Sequence, residues 1–266
     1  VVFYNHPSRK DDTPAENYHD MTDWFSHSKD IVGMSGAPGH QKKRDHTNGS
    51  YETKLKTING WDPSVAVIGG EWDLLLHQGY PVWAARAASD FHNTGMDYWP
   101  CQFSTTHLYA PSPAHNDVLQ AFHTGTFWAQ HGQFIDSLSF TLASQTVSSQ
   151  TRTSGRNKAE MGQVLHTYPG EMVQLEFIVI PNTFDWQGNP VQLDEIEIVL
   201  IEPHQITSEI IDPSTLSDDG FIFLQKRYAF KPGTTAVRIR GRSKQPGLHD
   251  YMFYTNPIFV HTKEEE

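Results

Sequence analysis

Asp90 and His92, an aspartate and a histidine spaced two residues apart, are the residues with the clearest chemical potential. They follow an apolar stretch that predicts a strand over residues 81–88. Side chains two apart at a strand end point to the same side of the chain, so this carboxylate and imidazole can share one metal ion or bind two adjacent ions. Mixed oxygen and nitrogen ligands suit Zn, Mn or Fe(II). The structural alternative is an aspartate that caps a helix and hydrogen-bonds a nearby histidine.

A second histidine, His6, directly follows the apolar run at residues 1–5. Arg9 lies three residues further on, where its guanidinium could bind an anion through two parallel hydrogen bonds. The alternative is a surface turn that contains a histidine and an arginine. His40, after a turn rich in glycine and proline, and Asn93, next to His92, are further candidates for contact with a substrate.

The elements that must position these residues share one architecture, an apolar strand followed by residues of ligand type. The carboxyl ends of strands are where sites assemble in barrel-like α/β folds, so the two segments are expected to meet. The pattern also predicts helices over 13–28, 71–78 and 113–125, the last closed by a glycine. Residues 41–63 and 144–162 are polar and are predicted to be long loops.

The second half of the chain alternates apolar and polar residues with period two, which is typical of strands. Turn signals separate the strands, so the pattern predicts an antiparallel β-sandwich. We therefore expect two domains, an α/β domain over residues 1–134 and an all-β domain over 135–266. The predicted strands cover 136–143, 171–180, 194–201, 221–230, 235–240 and 251–260.

The chain has 266 residues, of which 20 are basic and 31 acidic, and a net charge of −11. This balance argues against a protein that binds nucleic acid through a basic surface. No apolar stretch is long enough to predict a transmembrane helix. The single cysteine excludes an intrachain disulfide and leaves both a cytoplasmic and a periplasmic or secreted location open. Aromatic residues make up 12% and predict a substantial core, which we expect to include four tryptophans, Trp72, Trp83, Trp99 and Trp128.

Several short stretches resemble the PHP (polymerase and histidinol phosphatase) superfamily. His6-Pro7 and residues 89–92 (Ser-Asp-Phe-His) resemble its third and fourth metal-binding motifs. Residues 119–127 resemble the helix and turn that end many of its catalytic domains. Residues 254–260 resemble the close of a branch that carries an appended β-domain and includes carbaryl-hydrolase-type metallohydrolases.

The resemblance implies the carboxyl-terminal part of a distorted α/β barrel with two or three divalent metal ions, followed by the β-domain. His6, Asp90 and His92 match ligand positions of the family one by one. The family's early His-x-His pair has no counterpart in this sequence. Either the chain lacks the amino-terminal half of the barrel, or that half is a separate chain, or the site is degenerate; we favour the first two.

The resulting hypothesis is a metal-dependent hydrolase whose activated water attacks a small phosphoester or a carboxylic or carbamic ester. Asp90 is expected to accept a proton as well as to bind metal, and Arg9 is expected to stabilise negative charge on the substrate. Expected partners are a small-molecule substrate, the amino-terminal half as a separate chain, and further copies of the chain; nucleic acid and membrane are not expected. The alternative function is a non-catalytic module that binds glycan or protein and carries a degenerate metal site.

Overall fold

A computed structural model describes residues 1–39, 55–95, 97–144, 157–218, 220–246 and 249–263, and the fold that they form is rich in β-strands. The helices are α1 (Tyr18–His27), α2 (Pro63–Ala66), α3 (Glu71–His77) and α4 (His115–Thr124). The first eight strands are β1 (Val2–Tyr4), β2 (Ile31–Met34), β3 (Ser104–Leu108), β4 (Phe127–His131), β5 (Ile135–Ser144), β6 (Asn157–Glu160), β7 (Val164–Thr167) and β8 (Met172–Pro181). The remaining strands are β9 (Glu195–Glu202), β10 (Gln205–Ile211), β11 (Ser217–Asp218), β12 (Phe221–Ala229), β13 (Gly233–Ser243), β14 (Tyr251–Thr255) and β15 (Ile258–Thr262).

The amino-terminal part contains three parallel segments. β1 and β2 pair in parallel, and residues 81–88 run alongside β2. The prediction of a regular strand over 81–88 is wrong, because this segment makes only two isolated bridges with the β2 region, at Trp83 and Ala87. Between them, the N–H groups of Ala84 and Ala85 both donate to Asn256 Oδ1, at 3.1 Å each. The buried side chain of Asn256 thus accepts hydrogen bonds that a neighbouring strand would accept in a regular ladder.

The other described strands, β3 to β15, all belong to two larger sheets. The first has eight strands. Six of them follow the order β10-β9-β13-β14-β4-β3, β15 pairs with β13, and β7 pairs with β15. The second has five strands in the order β11-β12-β8-β5-β6. Apolar side chains from both sheets share one hydrophobic cluster, for example Phe177 of β8 and Phe253 of β14, whose rings stack 6.0 Å apart. Strands from both sides of the predicted boundary at residues 134/135 pair within the first sheet, β4 with β14.

Most predicted elements of the second half are present with shifted ends, as β5, β8, β9, β12 and β13. The predicted strand 251–260 is two strands, β14 and β15, because the chain turns at Asn256 and Pro257, and proline has no N–H to donate to a ladder. Strands β4 and β10 were not predicted. Strand β6 lies in the predicted loop 144–162, whose residues 145–156 fall outside the described residues. Of the helices, 71–78 and 113–125 are confirmed as α3 and α4, whereas α1 begins only at Tyr18.

A fully buried ion pair joins the amino-terminal part to the first sheet. Arg238 of β13 donates from Nε to Asp73 Oδ1 (2.8 Å) and from Nη2 to Asp73 Oδ2 (3.0 Å), and both side chains have no exposed surface. The guanidinium also lies over the ring of Trp72, at 4.7 Å from its centroid. Because Asp73 and Trp72 belong to α3, this pair fixes the helix on the sheet.

No helix among the described residues is long and apolar enough to cross a membrane.

Replacing Asp73 by Asn should cost about 3–5 kcal/mol of the free energy of unfolding, because it leaves a buried guanidinium without its countercharge. Urea denaturation of the full chain measures this cost. The matched control is Glu209→Gln, which breaks the exposed pair between Lys226 and Glu209 (2.6 Å) and should cost less than about 1 kcal/mol. Equal costs for the two variants would contradict a stabilising role for the buried pair.

Candidate functional site

The candidate site lies where the three parallel segments of the amino-terminal part end. His6 follows β1, the turn at residues 35–39 follows β2, and Asp90 follows the extended segment 81–88. Because parallel segments end at the same edge, their carboxyl-terminal loops meet. The predicted residues His6, Asp90 and His92 are therefore brought together.

The carboxylate of Asp90 lies between two imidazoles. His6 Nε2 is 3.7 Å from Asp90 Oδ2, and His92 Nδ1 is 3.8 Å from Asp90 Oδ1. His92 Nδ1 also donates to the carbonyl oxygen of Asp90 at 2.7 Å. The side chain of His6 is 17% exposed and that of Asp90 27%, whereas that of His92 is 68% exposed. The side chains of His6 and Asp90 are thus partly withdrawn from water, whereas that of His92 is largely exposed.

The backbone at the site is strained. His6 and Asp90 have φ angles of 53° and 45°, a region that residues with a side chain rarely adopt. Such conformations cost about 1–3 kcal/mol each and cluster at functional sites. Gly39, at φ 121°, closes the site from the β2 side, since a Cβ there would lie 2.2 Å from Asp90 Cβ. The loops that carry Gly39 and Asp90 are therefore in direct contact.

A buried aspartate that the sequence analysis missed organises the loop after Asp90. Asp97 Oδ2 accepts hydrogen bonds from the backbone N–H groups of His92 and Asn93, both at 2.9 Å, and Asp97 is 3% exposed. The Asn93 side chain accepts from Gly95 N at 2.8 Å, so its oxygen takes part in the turn. The sequence feature that could have indicated this role is the position of Asp97, two residues after the Asn-x-Gly turn at residues 93–95. A substrate contact by Asn93 stays a prediction.

An aromatic pair flanks the same loop. The rings of Phe91 and Trp99 stack with centroids 4.8 Å apart. Trp99 is 54% exposed, so its assignment to the core is wrong, while Trp72, Trp83 and Trp128 are buried as predicted. Trp99 lies in a turn, where Trp99 N donates to Gln102 Oε1, and a turn leaves too little neighbouring structure to cover an indole. The loop thus presents a flat apolar surface close to Asp90.

Of the other predicted residues, Arg9 is exposed. Its backbone N–H donates to the carbonyl of His6 (3.0 Å) in the turn after β1. Its contact with a substrate stays a prediction. His40 lies outside the described residues.

A second arginine, Arg86, reaches the same edge and was not predicted. It lies on the extended segment 81–88, four residues before Asp90, and its Nη1 donates to Ser35 Oγ and to Asn5 Oδ1, the latter at 3.3 Å. Asn5 immediately precedes His6, and Ser35 follows β2. One guanidinium therefore contacts the ends of both other segments.

Asp62 supports the loop that carries His6. Ser8 is fully buried, and its Oγ and N donate to the Asp62 carboxylate at 2.7 and 3.3 Å. Asp62 also caps α2 by accepting from Ser64 N (3.0 Å), and its own N–H donates to the carbonyl of Gly36 (2.7 Å). The position of His6 thus depends on a buried carboxylate 54 residues away in the sequence.

Two further carboxyl groups lie behind this loop. Asn17 joins them: its N–H donates to Glu71 Oε1 (2.6 Å) and its Nδ2 to Asp11 Oδ1 (2.7 Å). Burial raises the pKa of Glu71 to about 8 and that of Asp11 to about 6, and the negative charge of Asp62 adds to both rises. Burial likewise raises the pKa of Asp62. At neutral pH Glu71 therefore keeps a proton that an exposed glutamate would have lost.

The donor chemistry of the site fits a divalent metal ion, although the described ligands are few. Two ligands of one zinc ion lie at most about 4.2 Å apart, twice the usual metal–ligand distance, and the pair His6–Asp90 meets this limit. The hydrogen bond from His92 Nδ1 to a carbonyl fixes the tautomer that leaves the lone pair on Nε2, as is usual for histidines that bind metal. Within the part of the chain that the structure describes, no group of three or more His, Cys, Asp or Glu side chains is close enough to hold an ion.

Comparisons with protein-family models, with curated proteins and with solved structures give no match.

Gly39→Ala should destabilise the chain more than an ordinary glycine substitution in a left-handed turn. The new Cβ would meet Asp90 Cβ and force the two loops apart, which we expect to cost about 1–3 kcal/mol beyond the backbone penalty. The control is Gly79→Ala, where φ is 81° but no atom lies within 4 Å of the added Cβ. Urea denaturation of both variants measures the difference, and similar losses would show that the Gly39–Asp90 contact is not tight.

Glu71→Gln should change how stability depends on pH. In the folded chain Glu71 keeps its proton up to about pH 8, whereas the ordinary pKa of 4.5 applies after unfolding. The folded state therefore binds more protons between these values, and the contribution of Glu71, fully present below pH 4.5, is lost as pH rises through 8. Gln imitates the protonated form, so the variant should match the wild type near pH 4.5 and exceed its free energy of unfolding by a few kcal/mol above pH 8.

Chemical denaturation across this pH range is the measurement. Glu160→Gln, at a glutamate whose side chain is 62% exposed, is the control. A constant difference between Glu71→Gln and the wild type at all pH values would refute the raised pKa.

Proposed function

We propose that this protein is a metal-dependent hydrolase of the PHP type that acts on a small phosphoester or on a carboxylic or carbamic ester. The observation that carries the proposal is the placement of His6 Nε2 against Asp90 Oδ2, 3.7 Å apart, at an edge where three parallel segments end. The strained backbone at both residues adds support, because such strain persists where a site requires it.

In this proposal His6, Asp90 and His92 would hold divalent ions of Zn, Mn or Fe. A bound ion supplies a water whose pKa is lowered toward 7. The chain's own residues position these ligands. Asp62 holds the His6 loop through Ser8, and Asp97 holds the backbone of His92. Asp90 would be the acceptor for a proton of the water, and Arg9, in the turn after His6, would supply positive charge for the substrate.

The finer description of the fold belongs to the same proposal. Three parallel segments with helices beside them are consistent with a portion of a distorted α/β barrel. Two sheets that share a hydrophobic cluster are consistent with a β-sandwich. The remaining part of such a barrel would supply the further ligands that a metal site of three or four residues needs.

A non-catalytic binding module is the second candidate, and one surface favours it. Four exposed apolar side chains lie on the outer face of the five-stranded sheet: Ile178 and Ile180 of β8, and Phe221 and Phe223 of β12. Phe223 pairs directly with Ile178 in the ladder, so the four form one patch. Contiguous apolar patches of this kind mark interaction surfaces.

Asp90→Asn tests the hydrolase. The full chain, loaded with Zn or Mn and desalted, should retain at least about one equivalent of metal by elemental analysis, and the variant should retain much less because it loses a charged ligand. Hydrolysis of p-nitrophenyl phosphate or p-nitrophenyl acetate should fall with the metal content and with a chelator. The matched control is Asp23→Asn, which alters another aspartate–histidine pair, the exposed Asp23 and His27 at 3.2 Å.

A wild-type chain that takes up no metal and hydrolyses neither ester would contradict the hydrolase and favour the binding module. Full metal content and activity in Asp90→Asn would refute the assignment of this site.

A further inference from the structure

Arg86 differs from the other arginines with partly or fully buried side chains. Arg238 pairs with Asp73, Arg240 with Glu197 and Arg242 with Glu195, all within 2.8 Å. Arg86 instead donates to two neutral oxygens, Ser35 Oγ and Asn5 Oδ1, and its guanidinium lies over the ring of Phe3 at 5.1 Å.

No carboxylate among the described residues forms an ion pair with Arg86. Burial lowers the pKa of Arg86. A cation that is withdrawn from water without a countercharge is costly, and a cation–π contact offsets only part of that cost. In a chain with 31 acidic residues, the neutral surroundings of this guanidinium leave a place for an external anion.

The geometry of its neighbours holds Arg86 in position. Ser35 is fully buried and donates to Asn5 Oδ1 at 2.6 Å, so the two acceptors of the guanidinium are themselves linked. Both contacts use Nη1, and no acceptor in the described part of the chain bonds Nε or Nη2, so these donors of a partly exposed side chain can bind a ligand. An arginine whose planar fork is fixed on one side is well suited to bind an oxyanion on the other.

We propose that Arg86, positioned by Ser35 and Asn5, binds a phosphate-like anionic group of the ligand at the edge that carries His6 and Asp90. The identification of this group as part of the substrate rests on the proposed hydrolase function, and it selects a phosphoester over an uncharged ester. Arg86 and any bound divalent ion would place positive charge at this edge, and an anionic group of the substrate would be attracted to it.

Binding of inorganic phosphate to the EDTA-treated full chain tests the proposal without any metal. Isothermal titration at pH 7 should detect phosphate binding to the wild type, and Arg86→Met should weaken it about tenfold or more, the effect of losing charge-assisted hydrogen bonds. Arg227→Met, at an exposed arginine of β12, should bind phosphate as the wild type does. No phosphate binding by the wild type, or equal binding by Arg86→Met, would overturn the proposal.

A second measurement does not depend on the folding of a variant. Phenylglyoxal modifies arginine side chains, and peptide mass spectrometry of the wild type reports the extent of modification at each position. Phosphate should protect Arg86 and leave the modification of Arg227 unchanged. Equal modification of Arg86 with and without phosphate would contradict the proposed contact. Protection of Arg9 instead would assign the anion to the arginine that the sequence predicted.

The two proposals fail in different ways. If the chain binds phosphate through Arg86 but shows no metal-dependent hydrolysis, the anion site stands and the hydrolase falls. If the chain hydrolyses p-nitrophenyl acetate in a metal-dependent way, binds no phosphate, and Arg86→Met is as active as the wild type, the hydrolase stands and the anion site falls.

Discussion

The arrangement of the site depends on one buried amide, the side chain of Asn256. Its Oδ1 accepts from Ala84 N and Ala85 N, and its Nδ2 donates to the carbonyls of Gly125 and Phe127, at 3.1 to 3.2 Å. All hydrogen-bonding atoms of this side chain are therefore used, in a residue with no exposed surface. The amide ties the extended segment that leads to Asp90 to the start of β4 and to the turn between β14 and β15. Backbone hydrogen bonds at Trp83, Arg86 and Ala88 hold the third segment beside the β2 region, and the amide of Asn256 holds the stretch between them.

The fold places the buried carboxyl groups of the molecule in two kinds of surroundings. The chain carries −11 overall, but its buried carboxyl groups are treated in two different ways. Beside the arginines of β13 they form ion pairs, as Asp73 of α3 and Glu197 of β9 do. Behind the His6 loop, no cation of the described residues pairs with Glu71 or Asp11, and burial raises the pKa values of both. Because Glu71 keeps its proton at neutral pH, the region behind the His6 loop carries less negative charge than its composition suggests.

The meeting of His6, Asp90 and His92 could be predicted because it follows from a general rule, that parallel strands end at the same edge. The contribution of Arg86 could not, since it lies within an alanine-rich stretch and its role depends on Ser35 and Asn5, which are distant in sequence. Trp99 was misassigned because residue type alone does not reveal that a turn leaves an indole uncovered. The irregular hydrogen bonding of residues 81–88 was equally inaccessible, as it arises from Asn256, more than 150 residues later. Most strands of the second half were predictable from their alternation, whereas the short strands β6, β7 and β11 and the mostly exposed β10 were not.

The stacked pair of Phe91 and Trp99 gives the protein a natural optical reporter. Most of its seven tryptophans are buried or half-buried, and Trp99 is the most exposed of them. Its emission should therefore dominate the red edge of the fluorescence spectrum and be the most accessible to a small quencher in solution. Since Phe91 adjoins Asp90 in the chain, occupancy of this loop could be followed by intrinsic light emission, without attaching a dye.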